Sequence, residues 1–384
     1  MRAFVLTDPA LASHAGQFVW LDLNTDLTRN ELVLQKHEAD ALPTFLVVDP
    51  KEEKVVLRWV GSLTLPQLEA FLEEARAALR GTGGVASPAN VALARADGLY
   101  GARKYAEAAV AYRDALAQAP PGWPRYSRAV EALLFSYQST EAYAHAVELV
   151  REARSRLAGT PSALTVSLGG LDSALELPKD AAARAAAIDE MEAGLRAAIA
   201  DPKVAVAADD RSGAYGSLLQ ARQQVGDQEG AKKVAAEWAA FLEGEAAKAK
   251  IPEERAVFDS HRLSAYVALG EPARALSMLE ASEKELPRDY NPPNRLARAH
   301  AALKEWDKAL AASSRAASLA SGRAKLRVLG LRASLLQEKG DVAAARQTFD
   351  EAIAFGESLP KGERPVKAIE QLRKQREKLD APKG

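Results

Sequence analysis

The chain contains no cysteine. That absence removes disulfides, thiol nucleophiles, thiolate metal sites and any C-x-x-C redox pair from its 384 residues. Histidine is scarce too. His14, His37, His145, His261 and His300 are scattered, and none stands at metal-ligand spacing from another histidine or a carboxylate pair. No run approaches the roughly 20 apolar residues of a membrane span, and no charged leader followed by an apolar stretch is present. The P-loop, the G-x-G-x-x-G turn and the G-x-S-x-G elbow are all missing. Neither sign of charge is in excess. A formal net charge of −1 leaves no basic footprint for nucleic acid and no polybasic membrane patch. Aromatic residues make up only 6% of the chain, although the hydrophobic fraction reaches 48%. The core is therefore expected to consist largely of alanine and leucine, helix-favouring residues that allow close helix contact. These absences predict no enzyme, no cofactor, no metal and no nucleic-acid partner.

What is present falls into two parts. Phe-Val-Trp-Leu-Asp-Leu-Asn at 18–24, Thr-Phe-Leu-Val-Val-Asp at 44–49 and Lys-Val-Val-Leu-Arg-Trp-Val at 54–60 are short β-branched or aromatic runs with polar flanks, and each predicts a strand. A helix is expected near 28–39. A hairpin is expected across Asp49-Pro50-Lys51-Glu52. Gly61 ends the last strand, and Thr64 caps a helix carrying Leu65, Leu68, Phe71, Leu72 and Ala75 at helical period.

Several residues give this part a family likeness. Phe18-Val19-Trp20-Leu21-Asp22, then Ala41-Leu42-Pro43-Thr44-Phe45, then Val60-Gly61 with the helix after it, follow one another as in the later two thirds of a thioredoxin fold. Thr7-Asp8-Pro9 resembles the thioredoxin-like domains of bacterial thiol:disulfide interchange proteins. The resemblance covers about 80 residues. It implies that Pro43, between Leu42 and Thr44, occupies the family's cis-proline position beside a thiol substrate strand. It also implies a C-x-x-C pair upstream, which this chain lacks. Two readings stay open: a fragment whose strands pair directly or borrow an edge, or an internal start in a longer, redox-active protein.

Residues 81–90 are a linker by composition, with Ser87-Pro88 set to start a helix. From 91 to 360, helical runs alternate with short breaks. Ala96, Tyr105, Ala108, Tyr112, Ala115 and Pro120 form one set. Tyr137, Tyr143, Ala146, Val150 and Ala153 form the next. Later sets are Gly226-Asp227, Ala231, Ala235 and Trp238; Gly270, Ala275, Leu279 and Pro287; and Ala297, Trp306, Ala309 and Ala316. The last is Ala333, Gly340-Asp341, Ala345, Phe349 and Ala352. Alanines 108, 146, 231, 275, 309 and 345 lie 38, 85, 44, 34 and 36 apart. The last two gaps match a repeat of about 34 residues, and the arrangement resembles the tetratricopeptide (TPR) pattern. The long gap is expected to hide a degenerate unit with helices near 163–176 and 180–200. About seven units result, followed by a solvated capping helix and tail over 361–384. The expected fold is a partial α/β thioredoxin-like domain over 1–80, then an all-α solenoid of TPR type.

In such arrays the first helix of each pair lines a groove. The pattern places Asn291, Asn294, Arg295 and Arg298 there in one unit, Arg327 in the next and His261 in the unit before. Donors of these kinds make charge-assisted hydrogen bonds to a peptide carboxylate. The plainer reading is solvated polar surface. Trp238 and Trp306 are expected to fill gaps between helices, Trp59 to pack on the closing helix, and His14 and His37 to be non-catalytic.

The expected function is a scaffold that holds protein or peptide clients and carries a redox-inactive thioredoxin-like module. Two alternatives stand beside it. One is a truncated thiol:disulfide oxidoreductase or chaperone-like protein, with its C-x-x-C upstream of Met1. The other is a structural array that assembles a complex. The compartment is open: cytoplasm by default, periplasm for a longer form.

Overall fold

The structure, a computed structural model, describes residues 5–23, 30–37, 43–60, 63–80, 87–179, 183–360 and 364–379. The chain divides into two compact units, 1–21 with 33–227 and 22–32 with 228–384.

At the N-terminal end Asp8 caps a short 3₁₀ helix, Pro9–His14, by accepting from the Ala10 amide at 2.9 Å. Helix α1 spans Glu31–His37. Strands β1 (Thr44–Asp49) and β2 (Lys54–Val60) form an antiparallel hairpin, with Thr44 opposite Val60 and Asp49 opposite Lys54. Helix α2 (Leu65–Leu79) begins at Thr64 in a reciprocal capping box with Gln67. Its Leu68, Phe71, Leu72 and Ala75 pack with Val5, Val47 and Leu63. Trp59 meets the edge of Phe71 with ring centroids 6.3 Å apart, so it packs on the closing helix as expected.

The first expected strand does not form. Residues 18–23 pair in no ladder, and the sheet has two strands among the described residues. Val19 and Leu21 are largely exposed. A β-branched and aromatic run fits a strand only when a neighbouring edge and a buried face receive it, and neither receives Val19 or Leu21. A two-stranded hairpin with one covering helix is therefore what these residues build, and a thioredoxin-like sheet is not shown. Leu42, Gly61 and most of the expected linker, 81–86, lie outside the described residues.

The rest of the first unit is helical. Its helices are α3 (Pro88–Gly101), α4 (Tyr105–Ala117), α5 (Tyr126–Ser139), α6 (Tyr143–Leu157), α7 (Ser162–Leu175), α8 (Arg184–Ala200) and α9 (Ala208–Gln224). Ser87 caps α3 through the Asn90 amide, with Pro88 at the first position. The second unit holds α10 (Gln228–Lys248), α11 (Pro252–Ala256), α12 (Asp259–Leu269) and, after a 3₁₀ turn at Pro272–Ala275, α13 (Leu276–Glu285). Then follow α14 (Asn291–Ala302), α15 (Trp306–Leu319), α16 (Gly322–Lys339), α17 (Val342–Ser358) and α18 (Val366–Lys378). Helices α3 with α4, α7 with α8, α14 with α15 and α16 with α17 pack as sequential pairs.

One turn recurs. Arg103, Glu141, Gly226, Gly270, Lys304 and Gly340 all have φ between +56° and +93°. In each case the next amide donates to the carbonyl five residues back: Lys104 to Leu99, Ala142 to Tyr137, Asp227 to Arg222, Glu271 to Tyr266, Glu305 to His300 and Asp341 to Leu336, at 2.8–2.9 Å. This closes the preceding helix in a Schellman motif. Each left-handed residue lies five positions before a marker alanine (103 before 108, 340 before 345). Those six alanines, 108, 146, 231, 275, 309 and 345, are 0–4% exposed. Alanine in that place lets two helices cross closely, with Tyr112, Leu279 or Phe349 filling the groove one turn on.

The degenerate unit is α7 with α8. Its close approach rests on glycine. A Cβ on Gly169 would stand 2.7 Å from Leu134 of α5, and one on Gly170 would stand 2.9 Å from Met191 of α8 and 3.0 Å from Val150 of α6. Within the first unit Arg128 of α5 ties the hairpin to the helices. Its Nε donates to the Arg58 carbonyl of β2 at 2.9 Å, and its guanidinium pairs with Asp97 of α3.

Candidate functional site

The residues singled out for a peptide groove lie in the second unit, on α12, α14 and α16. Pro292 and Pro293 set the first turn of α14, where proline's missing amide is no loss. Asn291 stands at that start, and both its amide and its side-chain Nδ2 donate to Asp289 Oδ1, at 2.9 and 2.8 Å. Asp289 is therefore the acceptor at this turn, and the Asn291 side chain is held against it.

Arg295 points inward. Its Nη1 donates to the Ala256 carbonyl at the end of α11 at 3.0 Å and lies 3.8 Å from Asp259 Oδ2. Asp259 is 1% exposed and accepts from the Ser282 hydroxyl of α13 at 2.6 Å. Burial raises the Asp259 carboxyl above its ordinary range, against the pull of the Ser282 hydrogen bond and of Arg295, Arg262 and Arg255. Burial also lowers the Arg295 guanidinium, against the pull of Asp259. The pair thus locks α14 onto α11, α12 and α13, and Arg295 is a strut rather than an outward donor. Asn294 Oδ1, Asp259 Oδ1 and Arg262 Nε are buried without a hydrogen-bond partner. The polar contacts where α12, α13 and α14 meet are those of Asp259 with Ser282 and Arg295.

The remaining candidates keep their donors near solvent. Arg298 is exposed on α14. Arg327 is exposed on α16, with Nη2 3.3 Å from the hydroxyl of Tyr290, the residue before α14. His261 is half-buried on α12, its ring 6.0 Å from that of Trp238. The structure thus joins Arg327 to the start of α14 through Tyr290. Arg295 reaches the start of α12, two residues from His261. The six candidates do not converge on one point.

Pro43 is an exposed bend before β1, and Thr44 is the first, half-buried residue of that strand. Trp238 is buried on α10 and Trp306 half-buried at the start of α15, as gap-fillers would be. His14 is buried, with its ring 6.4 Å from Phe18. Sequence reasoning missed Asp259 and Ser282. A lone aspartate at a helix start reads as a cap, and only the fold shows it turned inward toward an arginine 36 residues later (295 − 259). Among the described residues no three His, Asp or Glu side chains gather where they could hold a metal ion. Among the same residues no helix is long and apolar enough to cross a membrane.

No protein-family model matches the sequence, and no curated protein matches it significantly. Solved structures do. A tetratricopeptide repeat protein from Parabacteroides merdae is 12% identical with a TM-score of 0.44, over 76% of this chain and 99% of that one. The TPR2AB domain of yeast Sti1, solved as a pHSP90 complex, is 15% identical at 0.28, over 75% and 98%. Yeast Tom70 is 13% identical at 0.18, over 75% and 81%.

Proposed function

We propose that the chain is a protein-binding scaffold of TPR type, and that its second unit holds acidic or C-terminal peptide segments along α12, α14 and α16. The observation that carries this reading is the division of labour among the arginines of the second unit. Arg295 is consumed inside, whereas Arg298 and Arg327 stand exposed on the first helices of successive pairs. Guanidinium groups match a carboxylate with two parallel donors. Asn294, on the same helix as Arg298, and His261 on α12 are the secondary candidates. The chain has no thiol, so it performs no thiol exchange by itself. The likeness of the hairpin and α2 to a thioredoxin-like module stays a resemblance in sequence.

Fluorescence polarisation tests this with labelled acidic peptides bearing either a free or an amidated C-terminus. Binding of the free carboxylate form is expected, with a loss of tenfold or more in both Arg298→Glu and Arg327→Glu. Equal binding of both peptide forms by the double variant and the parent would discard the groove.

A further inference from the structure

A cleft of about 370 Å³ lies inside the first unit, between β2 and the helices α3 and α5. Its wall is unbalanced in charge. Lys36, Arg58, Arg125 and Arg128 line it, against one carboxylate, Asp97. Leu57 and Leu93 add an apolar strip. We propose that this cleft binds a small phosphate-bearing molecule, its phosphate against Lys36, Arg58 and Arg125 and its body along Leu57 and Leu93.

Four features support the assignment. First, Arg128 is committed to Asp97 and to the Arg58 carbonyl, and Arg58 donates through Nη2 to the His37 carbonyl, so these two arginines fix the wall while Lys36 and Arg125 also line the space. Second, the acids paired with Lys36 and Arg125 are Glu53 and Glu74, and neither lines the cleft. The Lys36–Glu53 pair is exposed and screened by water, so an anion in the cleft can compete for Lys36, whereas the Arg125–Glu74 pair is half-buried. Third, α3 presents Gly98 and Gly101 to the cleft. A Cβ built on Gly98 meets no atom within 4 Å, so the helix surface there is open to a ligand. Fourth, the His37 imidazole in the wall is held below its ordinary pKa by burial and by the charges of Lys36 and Arg58, with Glu53 pulling the other way. The Lys36 and Arg58 part of that shift is the part an anion in the cleft would offset. An arginine fork also matches phosphate oxygens bidentately.

Nothing in the assignment depends on the peptide groove of the second unit, so the two stand or fall separately. The test uses the whole chain, titrated with inorganic phosphate and with phenyl phosphate at an ionic strength held constant with chloride. Calorimetry reads binding, and the His37 ring resonances report its pKa. Both probes are expected to bind saturably, phenyl phosphate several-fold tighter, with the His37 pKa rising on saturation. Gly98→Ala should bind as the parent does, whereas Gly98→Glu should lose tenfold or more by placing a carboxylate in the open space. Should Gly98→Glu fail to fold, as judged by circular dichroism, the Lys36→Gln/Arg125→Gln double variant takes its place with the same expected loss. The proposal is overturned if neither probe saturates, if chloride alone moves His37 equally, or if the folded charge variants bind like the parent.

Discussion

Lys304, Arg103 and Glu141 hold left-handed backbone at φ +59°, +58° and +56°, a conformation that costs an L-residue about 1–2 kcal/mol relative to glycine. They do so because the helix pair needs its turn there, and the same turn uses glycine at 226, 270 and 340. Substitution has opposite signs at the two kinds of site. Lys304→Gly should raise stability by a few tenths to about 1 kcal/mol, since relief of strain outweighs the extra disorder glycine gives the unfolded chain. Gly270→Ala should lower it by about 1 kcal/mol, although a Cβ there meets nothing within 4 Å. Urea denaturation of both variants checks the pair of signs. Glu131 of α5 is a second residue with a definite consequence. Burial raises its carboxyl from 4.5 to about 7, while the Ser162 hydroxyl and the Arg128 charge pull the other way. Between those two pH values the folded state holds the proton more often than the unfolded one, so stability falls as pH rises from 4.5 through 7. Above pH 7 the folded chain carries the cost in full. Glu131→Gln should remove about 1–3 kcal/mol of that fall. Its stability between pH 5 and 8 should be flatter than the parent's, which thermal melts across that range would show.

At the scale of elements, the helix pairs were legible wherever small residues mark the crossings. Ala108, Ala146, Ala275, Ala309 and Ala345 are all fully buried in the places their spacing predicted. The helices expected near 163–176 and 180–200 are α7 and α8. The turns were half legible: Gly226, Gly270 and Gly340 announce a left-handed residue, whereas Arg103, Glu141 and Lys304 give no local signal. The α7 seam was invisible because glycine inside a helical run reads as a weakness. In the fold it is the only residue whose missing side chain leaves room for Leu134, Val150 and Met191. Gly170→Val would drive a branched side chain into Met191 and Val150 and should cost about 1–3 kcal/mol through overpacking. Gly98→Ala, on an open face, should cost nothing and serves as the control in the same denaturation series. The run at 18–23 misled for the converse reason. Strand propensity describes a fit to a pleated, half-buried surface, and that surface must be supplied from elsewhere in the fold. The candidate groove suffered similarly. Arg295 and Arg298 lie three residues apart and look equivalent in sequence, yet one faces Asp259 and the other faces water.

At the scale of the whole molecule, a chain of helix pairs distributes its stability locally, because each pair buries its apolar face only against its neighbours. The last helix shows what that implies. α18 is strongly polar, but its Ile369 and Leu372 are 4% and 8% exposed, and they pack with Leu326, Phe349 and Ala352. Gly356 of α17 and Gly330 of α16 make room for them: a Cβ would come within 2.8 Å of Ile369 and 3.0 Å of Leu372. Arg373 and Arg376 add surface pairs to Glu357 and Asp350, which contribute little. Deleting residues 364–384 removes two buried aliphatic side chains, worth about 1.5–3 kcal/mol each, and uncovers the cluster they close. The loss should be felt first in α16 and α17. Hydrogen exchange there should speed up by a hundredfold or more, while the first unit keeps its protection. A uniform loss across both units would instead mean that the array unfolds as a single cooperative block, and unchanged exchange in α17 would mean that α18 does not dock.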